Sequence, residues 1–304
     1  MSIVYDIPIP ADVPESARAT FAQNYMMITH ASGRLMLFAG DQKIEHMNGD
    51  FYGEGIHADD ADPEHLFRIA KEGRIGVFAT QMGLIARYGE DYPSVPYLVK
   101  LNSKTNLVGK DQMDPYSSQI TTVDQVARLR DQTSLLVAAV GYTVYLGSEF
   151  EHKMLEHAAR IINEAHQYGL IVVLWVYPRG KAVKDEKDPH LIAGATGVAA
   201  TIGADFVKVN APKKDGSSAA DLLKEATVAA GRTRVVCAGG SSVSAEDFLQ
   251  QLYDQIHIGG ASGNATGRNV HQKSFEEAVK MCNAISAITV DNADVQTAVK
   301  IYNE

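Results

Sequence analysis

The stretch Phe206-Val207-Lys208-Val209-Asn210 places a lysine at the centre of what reads as a short buried strand. It follows Ile202-Gly203-Ala204-Asp205, a helix end and turn. Side chains alternate along a strand, so Val207 and Val209 face one way while Phe206, Lys208 and Asn210 face the other. An ammonium group at that position is costly to bury without a partner or a task. A lysine with a buried stem and a head reaching solvent or a carboxylate satisfies the same pattern. Against that simpler reading, several other strands carry a polar residue at a comparable place.

On either side of this strand, strand and helix patterns alternate. Strand-like segments fall at residues 35–39, 75–79, 97–101, 137–140, 170–177, 206–210, 234–238 and 256–258. Helical periodicity falls between them, at residues 63–73, 81–88, 122–136, 149–168, 189–202, 217–230 and 244–252, and again at 273–288. Eight strands alternating with helices predict a single (β/α)8 TIM barrel. The expected organisation is one domain over residues 1–304: an N-terminal cap to residue 33 with a helix at 15–28, the barrel over about 35–290, and a C-terminal helical extension over 290–304. A doubly wound open sheet is the alternative, but the first strand lacks its glycine fingerprint.

With 304 residues, 45% hydrophobic and 21% charged, the composition is that of a globular protein. The longest apolar run, residues 170–177, is far below the roughly 20 residues that span a bilayer, and residues 1–6 lack the basic start and apolar core of a signal peptide. A cytoplasmic protein without membrane partners is expected. Formal charge of −9 disfavours non-specific nucleic-acid binding. Cys237 and Cys282 lie far apart with no CxxC pattern, and no His/Asp/Glu cluster has metal-ligand spacing, so neither a disulfide framework nor a metal cofactor is expected.

In such barrels chemistry sits at the C-terminal ends of the strands. Those ends carry Asp41 after the first strand, Lys100 and Asn102 in the third, Trp175 and Tyr177 in the fifth, and Lys208 and Asn210 in the sixth. Each pair is two residues apart and faces one side, while Val99, Leu101, Val176, Val207 and Val209 form the outer apolar layer. Glu45-His46 are placed to line the same mouth. A structural salt-bridge network would also gather charges there, but it does not call for Trp and Tyr. Glycine-rich segments near the seventh and eighth strands, Gly239-Gly240 and Gly259 to Gly267 followed by Arg268, suit an anion held by backbone N–H groups and a guanidinium. Ser241 and Ser242 lack a GxSxG elbow. His152 and His157 read as helix-surface residues, and the charged run 181–188 reads as a solvated loop.

Seven stretches together resemble the archaeal-type class I fructose-1,6-bisphosphate aldolases: Gly40-Asp41-Gln42-Lys43-Ile44-Glu45-His46, Val99-Lys100-Leu101-Asn102, Gly141 to Ser148, Trp175-Val176-Tyr177-Pro178-Arg179-Gly180, Gly203 to Val209, Ala238-Gly239-Gly240 and Gly267-Arg268-Asn269. They keep their order over about residues 35–290. The resemblance implies a metal-independent aldolase in which Lys208 is the Schiff-base lysine, Tyr177 the proton donor and acceptor, and Asp41 the acidic partner. It implies that Trp175 shapes the site and that Gly239, Gly240, Gly267 and Arg268 hold a phosphate, with Lys100, Asn102 and His46 joining them in binding substrate. It also implies small phosphorylated sugars as partners and a homo-oligomer. The chain departs from the usual motif in having Gln42 after Asp41 and Ala238 where serine is common.

An amine attacks a carbonyl only when deprotonated, and a free lysine near pKa 10.4 is almost wholly charged at neutral pH. Burial beside another cation lowers that value, and Lys100 is the candidate cation. Two other readings fit the same residues. One is a related Schiff-base enzyme acting on another phosphorylated ketose, of the transaldolase, thiolase or amino-deoxy-heptulosonate synthase type. The other is a barrel that binds sugar phosphates without catalysis.

Overall fold

The computed structural model describes residues 7–215, 217 and 219–304. The reading of residues 1–6, and position 218 in the helix expected at 217–230, lie outside the described residues. Eight parallel strands close into a barrel: β1 (Leu35–Ala39), β2 (Val77–Gln81), β3 (Pro96–Lys100), β4 (Leu136–Leu146), β5 (Ile171–Pro178), β6 (Phe206–Val209), β7 (Arg234–Ala238) and β8 (Gly263–Thr266). Neighbours follow chain order and β8 returns to pair with β1, the arrangement of a (β/α)8 TIM barrel. All four residues of β6 are buried, as its apolar run requires.

Four details differ from the pattern read in the sequence. The eighth strand is Gly263–Thr266, not residues 256–258, which form the last turn of the helix Ala245–His257 and the residue after it. Gly-Asn-Ala-Thr has low strand propensity, but its backbone pairs on both sides, Gly263 with Leu35 and Asn264 with Cys237. A Cβ on Gly263 would stand 2.0 Å from the Leu35 carbonyl oxygen, and its φ is +126°. Consequently Gly259 and Gly260 precede the strand, at its far end from the mouth, and only Gly267 and Arg268 follow it. Strand β4 runs to Leu146 rather than ending at residue 140, and pairs with β5 up to Leu146–Pro178. Finally, the polar stretch after β3 contains a small antiparallel pair, Asn102–Ser103 with Ser118–Gln119.

The N-terminal helix Glu15–Ile28 closes the bottom of the barrel beneath β6, where Tyr25 stacks on Phe206 at 5.8 Å. Asn24 Nδ2 donates to the Gly169 carbonyl at 2.8 Å. At the other end of the chain, the helix Val295–Asn303 packs on the helices Phe275–Thr289 and Ala245–His257. No helix among the described residues is long and apolar enough to cross a membrane.

A buried histidine ties the cap to the barrel wall. His166 Nδ1 lies 2.8 Å from Asp12 Oδ2 and its Nε2 3.3 Å from Asp205 Oδ2. Both ring nitrogens face acceptors, so both donate and the ring is an imidazolium. Burial opposes that charge, but Asp205 and Asp12 outweigh it and raise the pKa. A raised folded value means the contribution is complete below the ordinary histidine pKa near 6.5 and fades as pH climbs through the folded value. His166→Ala should lose on the order of 3 kcal/mol near pH 6, and the deficit should shrink toward pH 9. A deficit that stays constant across denaturation curves at those pH values would reject the ion pair.

Candidate active site

The mouth of the barrel holds a cavity of about 170 Å³. Lys208, Tyr177, Trp175, Asp41, His46, Gly239, Gly240, Gly267 and Arg268 line it, nine of the eleven residues to which the family resemblance gives a role. Gln42, Glu45, Asp50, Arg179 and Asn210 complete its polar wall. Lys100 and Asn102 do not line it.

Asn102 is instead a clamp. Fully buried, it accepts from Thr143 N–H at 2.7 Å and donates to the carbonyls of Thr143 and Ser117 at 2.9 and 3.0 Å, binding the β3 exit to β4. Lys100 lies directly behind the cavity wall. Its Nζ donates to Thr143 Oγ1 at 2.8 Å and the Asn102 carbonyl at 3.1 Å, and stands 3.8 Å from Asp41 Oδ2. This is the donor arrangement of an ammonium with its hydrogens met. Lys208, only 7% exposed, has no hydrogen-bond partner among the described residues.

The two amines share one aromatic ring. Lys208 Nζ is 5.0 Å and Lys100 Nζ 5.1 Å from the Trp175 ring centroid. The indole fits there because Gly141 lies opposite: a Cβ at that position would stand 2.5 Å from Trp175 Cζ3. Burial lowers the Lys208 pKa most, Asp41 opposes it, and Lys100 lowers it further. Burial beside a cation is thus what acts on Lys208, with desolvation the larger cause and Lys100 adding to it. Burial also lowers Lys100, but Asp41 and Glu45 oppose that, and its donors are met. The acceptors that an ammonium needs are thus met at Lys100 and missing at Lys208 among the described residues.

Tyr177 reaches the cavity because β5 extends past the barrel rim, in register with Tyr145 on β4. Burial, then Glu45 and Asp41, push its phenol well above the usual range, so it is a protonated donor at rest. Arg179 spans Tyr177 and Tyr145, 5.4 and 5.6 Å from their rings, and pairs with Glu186 at 2.9 Å and Glu45 at 3.5 Å. Glu186 also pairs with Lys110 at 2.9 Å. The charged run 181–188 thus anchors the mouth through Glu186 rather than being only a solvated loop.

Opposite Tyr177 are the glycines. Asn269, 1% exposed, donates to the carbonyls of Gly239 and Ser241 and accepts from Val243 N–H, locking the β7 and β8 loops together. Gly267 leaves no room for a side chain, since a Cβ would meet Gln42 Nε2 at 2.0 Å. Arg268 Nε lies 3.9 Å from Asp50 Oδ2, which is 3.1 Å from His46 Nδ1. Asp50 carried no signal in the sequence, being eleven residues past the end of β1 in an irregular loop. Among the described residues, no group of three or more His, Cys, Asp or Glu side chains is arranged to hold a metal ion.

Residues 35–273 match the DeoC/LacD family of aldolases. The chain belongs to that family. It is 58% identical, over 98% of this chain and 94% of the relative, to the fructose-bisphosphate aldolase/6-deoxy-5-ketofructose 1-phosphate synthase of Methanocaldococcus jannaschii. It is 34% identical to the class 1 fructose-bisphosphate aldolase of Thermoproteus tenax, over 89% and 95% of the two chains. Among solved structures, a fructose-bisphosphate aldolase from Slackia heliotrinireducens superposes with a TM-score of 0.96 at 59% identity, covering 98% of this chain and 94% of that one. An archaeal fructose-1,6-bisphosphate aldolase, whose catalytic lysine is covalently bound to a carbinolamine intermediate, superposes with a TM-score of 0.76 at 32% identity, covering 89% and 99%.

For a member of this family, the division of charge between the two lysines has a measurable consequence. Lys208 should react with an amine-selective acylating reagent, followed by peptide mass spectrometry, at lower pH than surface lysines. In Lys100→Met a lowering cation is lost and Asp41 is left to Lys208, so the onset should move to higher pH. An unchanged onset, or one moved to lower pH, would show that Lys100 does not act on the amine.

Proposed function

We propose that the protein is a class I fructose-1,6-bisphosphate aldolase with Lys208 as its Schiff-base residue. The observation that carries this is the Lys208 amine: buried, unpartnered, lowered in pKa, and open to a cavity that also holds a phenol, a carboxylate and a glycine–arginine cradle. The neutral amine adds to the C2 carbonyl of the ketose, and the carbinolamine loses water to give an iminium. The C3–C4 bond then breaks, its electron pair passing into the iminium to leave an enamine, while the C4 hydroxyl proton departs and the aldehyde is released. Asp41 lies where it can take that proton or assist loss of water. Tyr177, protonated at rest, delivers a proton to the enamine carbon, and hydrolysis frees dihydroxyacetone phosphate. Gly239, Gly240, Gly267 and Arg268 hold the C1 phosphate in this reading, and His46 steadies Asp50 beside it.

A second reading concerns the carbonyl partner. The dual name of the Methanocaldococcus relative favours formation of 6-deoxy-5-ketofructose 1-phosphate on the same lysine. A panel of both ketose phosphates, assayed in cleavage and synthesis, separates the two. Dihydroxyacetone phosphate with borohydride should leave a stable adduct on Lys208, absent in Lys208→Ala. No adduct, as from a barrel that only binds sugar phosphates, or an adduct on Lys100, would reject the assignment. In Tyr177→Phe the adduct should persist while turnover falls by roughly 10²–10⁴-fold, whereas near-normal kcat would remove Tyr177 from proton transfer.

A further inference from the structure

Asp60, His271 and Gln42 form a line of side chains from the interior to the cavity wall. Asp60 and His271 are fully buried, with Asp60 Oδ2 2.7 Å from His271 Nδ1. His271 Nε2 in turn lies 3.1 Å from Gln42 Nε2, and Gln42 lines the cavity. The imidazole is held in plane by Phe51, stacked at 4.7 Å with 10° between the rings, and its backbone carbonyl is met by His65 Nε2 at 3.1 Å. None of this is needed by the aldol chemistry proposed above.

The orientation of the Gln42 amide sets the donor logic of the line. Its nitrogen faces His271 Nε2 at 3.1 Å, and an amide nitrogen only donates, so Nε2 accepts. The ring proton is then on Nδ1, directed at the Asp60 carboxylate, which only accepts. On the other side the amide lies close to Gly267, where a Cβ would stand 2.0 Å from Gln42 Nε2. Gln42 Oε1 has no protein partner among the described residues, and is the end left for the cavity.

We propose that Gln42 Oε1 accepts a hydrogen bond from a hydroxyl of the bound ketose, near its phosphate-bearing end, and that Asp60 and His271 are positioning residues fixing which end of the amide meets substrate. A buried proton on one ring nitrogen thus decides whether the site offers an acceptor or a donor. The inference rests on the ketose reading of the cavity.

Asp60→Asn tests it directly. An asparagine amide can donate as well as accept, so it no longer holds the ring proton at Nδ1, and with the proton on Nε2 Gln42 presents its N–H to the cavity instead. The KM for fructose 1,6-bisphosphate should rise about tenfold with kcat little changed, and borohydride trapping on Lys208 should persist at saturating substrate. The ¹⁵N imidazole shifts of His271 should change from the Nδ1-protonated to the Nε2-protonated tautomer. Gln42→Met, which keeps the size but removes the acceptor, should raise KM similarly even if Asp60→Asn fails to fold. In the double variant KM should rise no further than in Gln42→Met, since Asp60 acts through Gln42. Additive KM effects, or a parent-like KM in Gln42→Met, would overturn the proposal. If the parent forms no imine on Lys208, it is the functional reading that fails. Calorimetric binding of a ketose phosphate to the parent and Gln42→Met still decides this one: weaker binding supports it, and equal binding rejects it.

Discussion

Two buried lysine amines that face Asp41, with Glu45 farther off, form the constraint on which the site depends. An isolated ammonium is expensive in low dielectric, and the two compete for the same carboxylates. The protein resolves the conflict unequally. Lys100 receives Thr143, Asn102 and the nearer contact with Asp41, all fixed by backbone geometry at the β3 and β4 exits. Lys208 receives the Trp175 ring and the cavity. One amine is thereby given the partners that favour a cation, and the other is left without them.

That inequality is built by the strand register. Trp175 pairs with Thr143 on one side and with Lys208 on the other, so the indole, the hydroxyl that holds Lys100 and the reactive amine lie at one level of the barrel. Gly141 gives the indole its room two residues below, and the long β4–β5 ladder carries Tyr145 and Tyr177 one level above. Beneath, Phe206 and Tyr25 close the floor under Lys208. A single strand of four residues can hold an unpartnered amine because its neighbours on both sides are extended and rigid.

Much of this was legible from the sequence because strand alternation speaks through residue type. A lysine flanked by valines, or Trp and Tyr two apart on an otherwise apolar strand, points inward with little room for another reading. The β8 strand was illegible for the opposite reason. Gly263-Asn264-Ala265-Thr266 is a strand by pairing alone, and its small residues answer to the Leu35 carbonyl and the cavity rather than to β propensity. Asn102 shared the alternation of Lys100 and so read as a cavity residue. The small hairpin after β3 turns it into a clamp, which no local pattern announces. Asp50, Asp60 and His271 are also silent locally, since loop residues acquire meaning only from what the fold brings beside them.

Those loop residues bear on the place where the sequence departs from its family resemblance, Gln42 after Asp41. An amide has a donor end and an acceptor end that differ only by a half turn, so a glutamine there specifies nothing until something fixes the turn. His271 can fix it because Asp60 already claims its other nitrogen, and Phe51 keeps the ring from rotating away. Gly267 completes the constraint from the far side, for any larger residue would occupy the place of the amide itself. The glycine after β8 therefore has two consequences at once: it keeps the cavity wall thin beside Arg268, and it seats the side chain that faces substrate. A substitution at Gly267 could not be read as the loss of an anion contact alone, because it would also release Gln42 and, through it, the buried proton on His271.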